Sequence, residues 1–203
     1  EKFWNKVSWS NMIGNHDYDR GATVRDSSRY QTYFGRDAVE STKANSTYVG
    51  SYTDSKNLSD TENSYYRFEV TGVRWMILQL EYHPRMEVIK WADEIIKSYP
   101  NDNVILTTHS YLSGIEGYQI EYENYIHDAD GNTNIESTEE IWTELKDNTN
   151  IKMILCGHST NGTGSIVQKN EVNDAGETVP ALMINAQDMD RPGAEWPDKV
   201  YYS

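Results

Sequence analysis

The chain has 203 residues, of which 37% are hydrophobic and 12% aromatic, a composition typical of a globular domain that can bury a core. Its 18 basic and 32 acidic side chains give a formal net charge of −14, and such a field repels nucleic-acid backbones and anionic membranes. We therefore expect neither a nucleic-acid polymer nor a membrane among its partners, whereas divalent cations suit this charge.

The single cysteine, Cys156, excludes a disulfide within the chain and lies in an apolar run, so we interpret it as a small buried hydrophobe. The chain begins at Glu1 rather than at a methionine, and from this we expect a larger gene product. A composition rich in Asn, Thr, Ser and Tyr favours a secreted or cell-surface protein.

The first eighty residues combine short structured runs with one long polar stretch. The pattern predicts the end of a helix over 2–9, a short strand over 10–13 and a mixed helical stretch over 25–34. Residues 41–63 are rich in Ser, Thr, Asn and Asp, which predicts an excursion over the surface. Strand-like runs follow at 65–70 and Val73–Leu80, and Thr71-Gly72 between them indicates a hairpin.

The rest of the chain alternates helices with strands. Apolar residues at three- and four-residue steps predict an amphipathic helix over 84–98, and a shorter helix is predicted at Glu139–Leu145. A second polar excursion covers 112–137. The predicted strands are 104–108, Ile151–Cys156, 165–169 and 180–185. This alternation predicts one mixed α/β layered domain over residues 1–203.

Three of the predicted strands end in a polar group that contains a histidine. The groups are Gly14-Asn15-His16-Asp17, Thr107-Thr108-His109-Ser110 and Cys156-Gly157-His158. Ligands usually bind at such strand ends, because the loops there converge. Imidazole nitrogens and an amide oxygen bind borderline transition metals, so this mixture of histidines with an asparagine suits Zn, Mn or Fe. We interpret Gly14 and Gly157 as positions where the backbone turns sharply.

His16 is followed directly by Asp17, whose carboxylate could orient the imidazole and raise its basicity. A histidine held protonated in this way can donate a proton to a departing alkoxide. The pair is therefore a candidate for acid catalysis. The alternative interpretation is a turn that the Asp17 side chain stabilises.

The motif Gly14-Asn15-His16-Asp17, followed in order by His109 and Gly157-His158, resembles the calcineurin-like metallophosphoesterases over essentially the whole chain. The resemblance implies two divalent metal ions (Mn, Fe or Zn) in the complete enzyme, with Asn15, His109 and His158 as ligands of one. It implies His16, with Asp17 as its partner, as proton donor to the leaving group. It also implies a four-layer α/β/β/α sandwich with mixed sheets, and hydrolysis of phosphomonoesters or phosphodiesters of small molecules or nucleotides.

The resemblance is to the C-terminal part of that family's domain. The family has an Asp-x-His and a Gly-Asp motif before the Asn-His-Asp motif, and the thirteen residues before Gly14 contain neither. We therefore expect a domain truncated on its N-terminal side, one partial metal site, and no activity without its upstream half or a second copy. Segment Thr107-Thr108-His109-Ser110-Tyr111-Leu112 resembles a bacterial, often secreted, subgroup.

Thr160 follows Gly157-His158-Ser159 at a position where the family usually has a second histidine. Because threonine is a poor ligand for these metals, the alternative stays open that this is a non-catalytic binding or surface module on a degenerate fold. Among the other histidines, we interpret His83 as a loop residue and His127 as part of a solvated turn. Trp75, Trp91 and Trp142 are predicted core residues.

Overall fold

The protein is described by a computed structural model over residues 7–18, 28–35, 46–53, 59–113, 117–118, 137–159 and 165–185. In these ranges it is an α/β structure with one mixed seven-stranded sheet. The strands are β1 (Tyr48–Thr53), β2 (Ser59–Val70), β3 (Val73–Leu80), β4 (Asn103–Thr108), β5 (Ile151–Cys156), β6 (Ser165–Val172) and β7 (Thr178–Asn185). The helices are α1 (Tyr30–Phe34), α2 (Met86–Ser98) and α3 (Glu139–Leu145), and Asn15–Asp17 form a 3₁₀ turn.

The strand order across the sheet is β1-β2-β3-β4-β5-β7-β6. The four inner strands β3, β4, β5 and β7 are parallel, whereas the outer strands β1, β2 and β6 pair antiparallel to their neighbours. The carboxyl ends of the parallel strands therefore lie along one edge of the sheet. This arrangement is the one that concentrates ligand-binding loops in α/β proteins.

The main core lies between the sheet and helices α2 and α3. Alternate side chains of β4 are buried, as expected of a strand with one face against helices. The helices contribute Val88, Ile89, Ala92, Ile96, Ile141, Trp142 and Leu145 to this core. Burial of one such side chain stabilises the fold by roughly 1.5–3 kcal/mol, so this face anchors the strand ends firmly.

The opposite face of the sheet carries a second set of apolar side chains. Ile77, Ile105, Leu155 and Leu182 are half-buried there, on four neighbouring strands; Ile77 pairs with Ile105, and Leu155 pairs with Leu182. Near the β6 end of the sheet the apolar side chains are more exposed to solvent: Ile184 on β7 is 58% exposed. This face is therefore apolar across the middle of the sheet.

No helix in the described ranges combines the length and the apolar content needed to cross a lipid bilayer. The longest of them, α2, has 13 residues.

The predicted hairpin is confirmed, because Thr71 and Gly72 join β2 to β3 with φ values of 51° and 82°. Two successive residues with positive φ give a turn whose twist matches that of the flanking strands. The predicted helix over 84–98 begins two residues later, at Met86, and the predicted strands 104–108, 165–169 and 180–185 are each longer by one to three residues.

The prediction of a surface excursion over residues 41–63 was wrong where the structure describes it. Strand β1 and the start of β2 lie in this stretch, although few of its residues are apolar. The tyrosines provide the packing, since the Tyr52 ring lies 5.9 Å from the Trp91 ring on α2. The polar side chains are satisfied by tertiary hydrogen bonds, as with the Glu81 amide, which donates to Asn63 Oδ1 at 2.7 Å.

The predicted strand at residues 10–13 was also wrong, because these residues have irregular backbone. The helical stretch predicted over 25–34 is α1 alone in its described part. Most of residues 2–9 and 112–137 lie outside the described ranges, as do His127 and Thr160. Of the three tryptophans predicted in the core, Trp142 is 5% exposed, while Trp75 and Trp91 are half-buried.

Candidate metal centre at the edge of the sheet

The structure brings Asn15, His109 and His158 together at the carboxyl edge of the parallel strands. His109 follows β4, His158 follows β5, and Asn15 opens the 3₁₀ turn. The Nε2 atom of His109 lies 3.0 Å from Asn15 Oδ1. The rings of His109 and His158 have centroids 5.0 Å apart. Three residues that are distant in the sequence therefore form one cluster.

The segment before Asn15 reaches the cluster without forming a strand. The Asn11 carbonyl accepts hydrogen bonds from the Tyr30 hydroxyl and, at 2.5 Å, from Gln79 Nε2. Ile13 is fully buried and packs in a small core with Tyr18, Tyr30 and Tyr82. These contacts replace the ladder hydrogen bonds that a strand would have made, and they hold Asn15 against the sheet.

Gly14 is needed for space rather than for a sharp turn. Its φ of −111° is one that any residue adopts. A Cβ atom on Gly14 would lie 3.1 Å from Cε1 of the His109 ring, which is tighter than ordinary contact. At Gly157 the nearest atom to an added Cβ would be Ile184 O at 3.4 Å, an ordinary distance. The interpretation of Gly14 as a turning point is thus corrected: it lets the histidine ring pack against the backbone.

His158 occupies a strained backbone conformation that neighbouring groups support. Its φ is +66°, a left-handed value that non-glycine residues rarely adopt. The side-chain amide of Asn185, at the end of β7, donates to the carbonyl oxygens of His158 and Ser159 at 2.8 and 3.1 Å. The Gly157 amide donates to the His109 carbonyl at 3.0 Å, so the two histidine loops are joined directly. Strain held in this way is characteristic of functional sites.

Burial keeps both cluster histidines neutral. The pKa of His109 is lowered to about 4, mainly because the ring is buried; the Asp17 carboxylate opposes this shift, and the nearby His16 and His83 side chains add to it. Burial likewise lowers the pKa of His158 to about 4, with His109 the next contributor. A neutral imidazole has a free ring nitrogen lone pair, the form in which histidine binds metal ions.

Asp17 closes the turn of the motif. Its carboxylate accepts the Gly14 amide at 2.8 Å, and the Asp17 amide donates back to the Gly14 carbonyl at 3.1 Å. In the described part of the chain, the Asp17 carboxylate bonds to the Gly14 amide and not to the His16 ring. The geometry is that of the alternative interpretation, a turn stabilised by aspartate, and the role of His16 stays a prediction. Both side chains are solvent-exposed beside Asn15.

Sequence reasoning missed the contribution of the loop after β3. The ring of Tyr82 is fully buried and lies 5.5 and 5.1 Å from the rings of His109 and His158. His83, which we interpreted as a loop residue, is 2% exposed, has a φ of +50° and packs 4.1 Å from the Tyr82 ring. The available signal was a fourth polar group, Glu81-Tyr82-His83, directly after a buried strand.

A buried ion pair between Glu81 and Arg85 stabilises the loop after β3. The carboxylate of Glu81 is fully buried and accepts Arg85 Nε at 2.9 Å and a terminal Arg85 nitrogen at 3.0 Å. Asn63 Nδ2 donates to the same carboxylate at 3.0 Å, and the Thr108 hydroxyl donates to the Glu81 carbonyl at 3.2 Å. The ion pair thus links the residues before Tyr82 and before His109 to the start of α2.

Cys156 is confirmed as a buried residue of the main core, 8% exposed. Burial raises the pKa of its thiol to about 11, so it stays protonated at neutral pH. A protonated, enclosed thiol is a poor nucleophile. Cys156 therefore serves the packing of β5 and not the chemistry of the cluster.

Asn15, His109 and His158 supply three candidate ligands for one divalent ion. The 3.0 Å between Asn15 Oδ1 and His109 Nε2 is a separation that suits two ligands each about 2.0–2.2 Å from one metal ion. His158 adds a third neutral donor. Within the described residues no group of three or more His, Cys, Asp or Glu side chains is placed to hold a metal ion. Two imidazoles and one amide oxygen are the donors that the described residues bring together here, and the number of metal ions stays a prediction.

A scan of protein-family models and a search of curated proteins both found no match to this chain.

Proposed function

We propose that this chain is part of a metal-dependent hydrolase of phosphate esters, either phosphomonoesters or phosphodiesters. The observation that supports the proposal best is the convergence of Asn15, His109 and His158, three donors predicted from ordered strand-end motifs. Their neutral rings and amide oxygen are suited to Mn, Fe or Zn. The parent protein is the enzyme in this proposal.

The side chains of the cluster have separate roles. Asn15, His109 and His158 would hold one divalent ion, and bound divalent ions supply charge neutralisation at the phosphoryl oxygens. His16 is exposed beside them and donates a proton to the leaving alkoxide oxygen. Asp17 fixes the turn that presents His16, through its bond to the Gly14 amide.

The four-layer sandwich is part of the same proposal. The apolar face that includes Ile77, Ile105, Leu155 and Leu182 suits a second sheet packed on it, with helices outside. The main core already accounts for the helical layer on the other face. We propose that the upstream half of the domain, or a second copy, supplies this second sheet together with the Asp-x-His and Gly-Asp motifs.

The substrate class is a phosphate ester of a small molecule or a nucleotide. A net charge of −14 opposes the approach of a polyanionic polymer, whereas one or two phosphates can be bound beside a cation. We also propose that the protein acts outside the cell or at its surface, on the basis of its polar composition.

The proposed dependence of activity on an upstream half of the domain leads to a specific experiment. Hydrolysis of an aryl phosphate with added Mn²⁺ is measured for this chain and for a longer protein that carries both upstream motifs. We expect turnover by the longer protein, strongly reduced by His16→Ala, and none by this chain. Turnover by this chain that is lost in His16→Ala would overturn the assignment of catalysis to the longer protein, and an inactive longer protein would overturn the proposed hydrolase.

The second candidate is a non-catalytic binding or surface module. Two observations favour it: Thr160 stands in place of a histidine, and Asp17 bonds to the Gly14 amide. This candidate predicts that a longer protein with both upstream motifs binds Mn²⁺ but does not hydrolyse the aryl phosphate.

A further inference from the structure

Glu171 carries a carboxylate that is almost completely buried, at 4% exposure, although its strand β6 is the last in the sheet. The Tyr111 hydroxyl donates to Oε1 and the Tyr118 hydroxyl donates to Oε2, both at 2.9 Å. Lys169 Nζ donates to both oxygens at 3.0 Å. We call Glu171 and these three partners the Glu171 cluster. An ionised carboxylate accepts about four hydrogen bonds, so its acceptor positions are filled.

The partners of Glu171 also contact each other. The rings of Tyr111 and Tyr118 have centroids 5.8 Å apart in an edge-to-face arrangement, and Lys169 Nζ lies 3.5 Å from the centre of the Tyr118 ring. Burial, and then the Glu171 carboxylate, raises the pKa of both tyrosines, so their hydroxyls stay protonated and can donate. A buried carboxylate needs such paired and hydrogen-bonded surroundings, because burial of an unpaired charge is costly.

The two tyrosines belong to the part of the chain that follows the candidate ligand His109. Residues 111–113 and 117–118, which we call the return segment, are joined to each other by a β-bridge. In addition, the Ser113 amide donates to the Gly117 carbonyl at 2.9 Å. The Glu171 cluster therefore fastens to β6 a segment that begins two residues after His109.

The position of His109 depends on its own contacts and on this segment. Its carbonyl accepts the Gly157 amide at 3.0 Å, which fixes the backbone after β4. Two residues later, Tyr111 is fully buried in the main core, its carbonyl accepts the Thr138 hydroxyl, and its own hydroxyl donates to Glu171. Strand β6 is separated from β4 by β5 and β7. A side chain on a distant strand thus constrains the loop that presents the His109 ring.

We propose that Glu171 is a positioning residue for His109. Its ionised carboxylate fixes the two tyrosines of the return segment, and the return segment in turn holds the His109 ring beside Asn15. A cation bound at this ring rests on the function proposed above, whereas the position of the ring does not. Hydrogen bonds to a charged acceptor are stronger than those to a neutral one. The charge of residue 171, and not only its size, should therefore decide where the ring lies.

Glu171→Gln keeps the size of the side chain and removes its charge. The amide nitrogen of glutamine has only donor hydrogens, so it cannot accept from Lys169 or from a tyrosine hydroxyl. The matched control is Glu144→Gln, the same chemical change at an exposed position of α3. Hydrogen exchange of the Ser113 amide and the NMR signals of the His109 ring are measured in the folded proteins.

We expect the Ser113 amide to exchange about 10-fold faster in Glu171→Gln than in the wild type or in Glu144→Gln. We also expect the His109 ring signals to shift in Glu171→Gln alone. A residue that served stability only would leave the His109 signals of the folded protein in place. Unchanged exchange or unchanged His109 signals in Glu171→Gln would overturn the proposal. If Glu171→Gln does not fold, Tyr118→Phe, which keeps the ring and removes one hydroxyl, is judged by the same two measurements.

Zn²⁺ titration relates this role to the proposed function. We expect Zn²⁺ to bind about 10-fold more weakly to Glu171→Gln than to the wild type or to Glu144→Gln, a loss typical of groups that orient metal-binding histidines. Equal affinities would overturn the influence of Glu171 on the cation. If the wild type binds no Zn²⁺, the proposed metal site fails, and the Ser113 exchange and the His109 signals still decide the role of Glu171.

Discussion

The Nε2 atom of His109 lies 3.0 Å from the side-chain oxygen of Asn15, across a separation of 94 positions in the sequence. Two lone-pair-bearing atoms at this distance are either joined by a proton or held by a common cation. Burial lowers the pKa of His109 to about 4, so the ring is neutral at physiological pH and can serve in either arrangement. The contact defines the cluster on which the proposed function depends.

Gly14→Ala should separate these two residues. The new methyl group would lie 3.1 Å from the His109 ring, so the ring must shift, and we expect the shift to lengthen its contact with Asn15. We expect metal affinity to fall by about 10-fold, equivalent to about 1.4 kcal/mol. The matched control is Gly157→Ala, whose methyl group would meet only ordinary contacts and should leave the affinity unchanged. Calorimetric titration with Zn²⁺ measures both, and equal losses in the two variants would contradict the close-approach explanation.

The left-handed backbone at residue 158 predicts an unusual order of stability. His158→Gly and His158→Ala both remove the imidazole, but only glycine adopts a φ of +66° without strain. We expect the glycine variant to be more stable than the alanine variant by about 1 kcal/mol. Urea denaturation of the two proteins tests this directly. An alanine variant of equal or greater stability would show that the backbone there is not strained.

The buried ion pair between Glu81 and Arg85 should contribute far more to the free energy of unfolding than an exposed ion pair does. Arg85→Ala leaves the fully buried Glu81 carboxylate without its cation, and we expect a loss of about 3–5 kcal/mol in the free energy of unfolding. Lys97→Ala removes an exposed lysine that pairs with Asp93 and Asp147, and we expect a much smaller loss because solvent screens exposed ion pairs. Denaturation curves of both variants give the comparison. Similar losses would mean that Glu81 gains solvent in the absence of Arg85.

The neutral histidines predict a dependence of stability on pH. Both His109 and His158 have a pKa of about 4 in the folded protein, against an ordinary value of 6.5. Between these values the unfolded chain binds more protons than the folded chain, so the free energy of unfolding falls as the pH drops from 6.5 towards 4. Carboxylates also titrate in this range, and the double variant His109→Gln, His158→Gln isolates the histidine contribution.

Denaturation of the wild type and of the double variant at neutral and mildly acidic pH measures the difference. We expect the wild type to lose more stability than the variant over that interval. Parallel curves would show that the two rings are hydrated in the folded protein.

Residues with a strong local pattern were predictable from the sequence. Strands β3 and β5 are mostly apolar, and both have the predicted bounds. His109 and His158 were placed at strand ends because each follows a predicted buried strand, in a polar group at its end. The helix α3 also has its predicted bounds, since Ile141, Trp142 and Leu145 mark its buried side.

Features that depend on distant partners were not predictable. The polar start of β2 is buried because Asn63 and Glu81 bond to each other, and neither residue alone signals a buried strand. Gly14 is required by a ring 95 positions away in the numbering, which no local rule reveals. The position of Tyr82 depends on contacts between its ring and the rings of His109 and His158, which follow two other strands.

The most direct test of the central claim is the broadening of amide NMR signals by Mn²⁺ at substoichiometric concentration, which detects weak as well as tight binding. If Asn15, His109 and His158 share a cation, the signals of these residues and their neighbours should broaden first. His109→Ala should largely abolish the effect, whereas Asn170→Ala on the exposed surface of β6 should not change it. Broadening confined to exposed acidic side chains, or broadening at the cluster that persists in His109→Ala, would contradict the metal assignment.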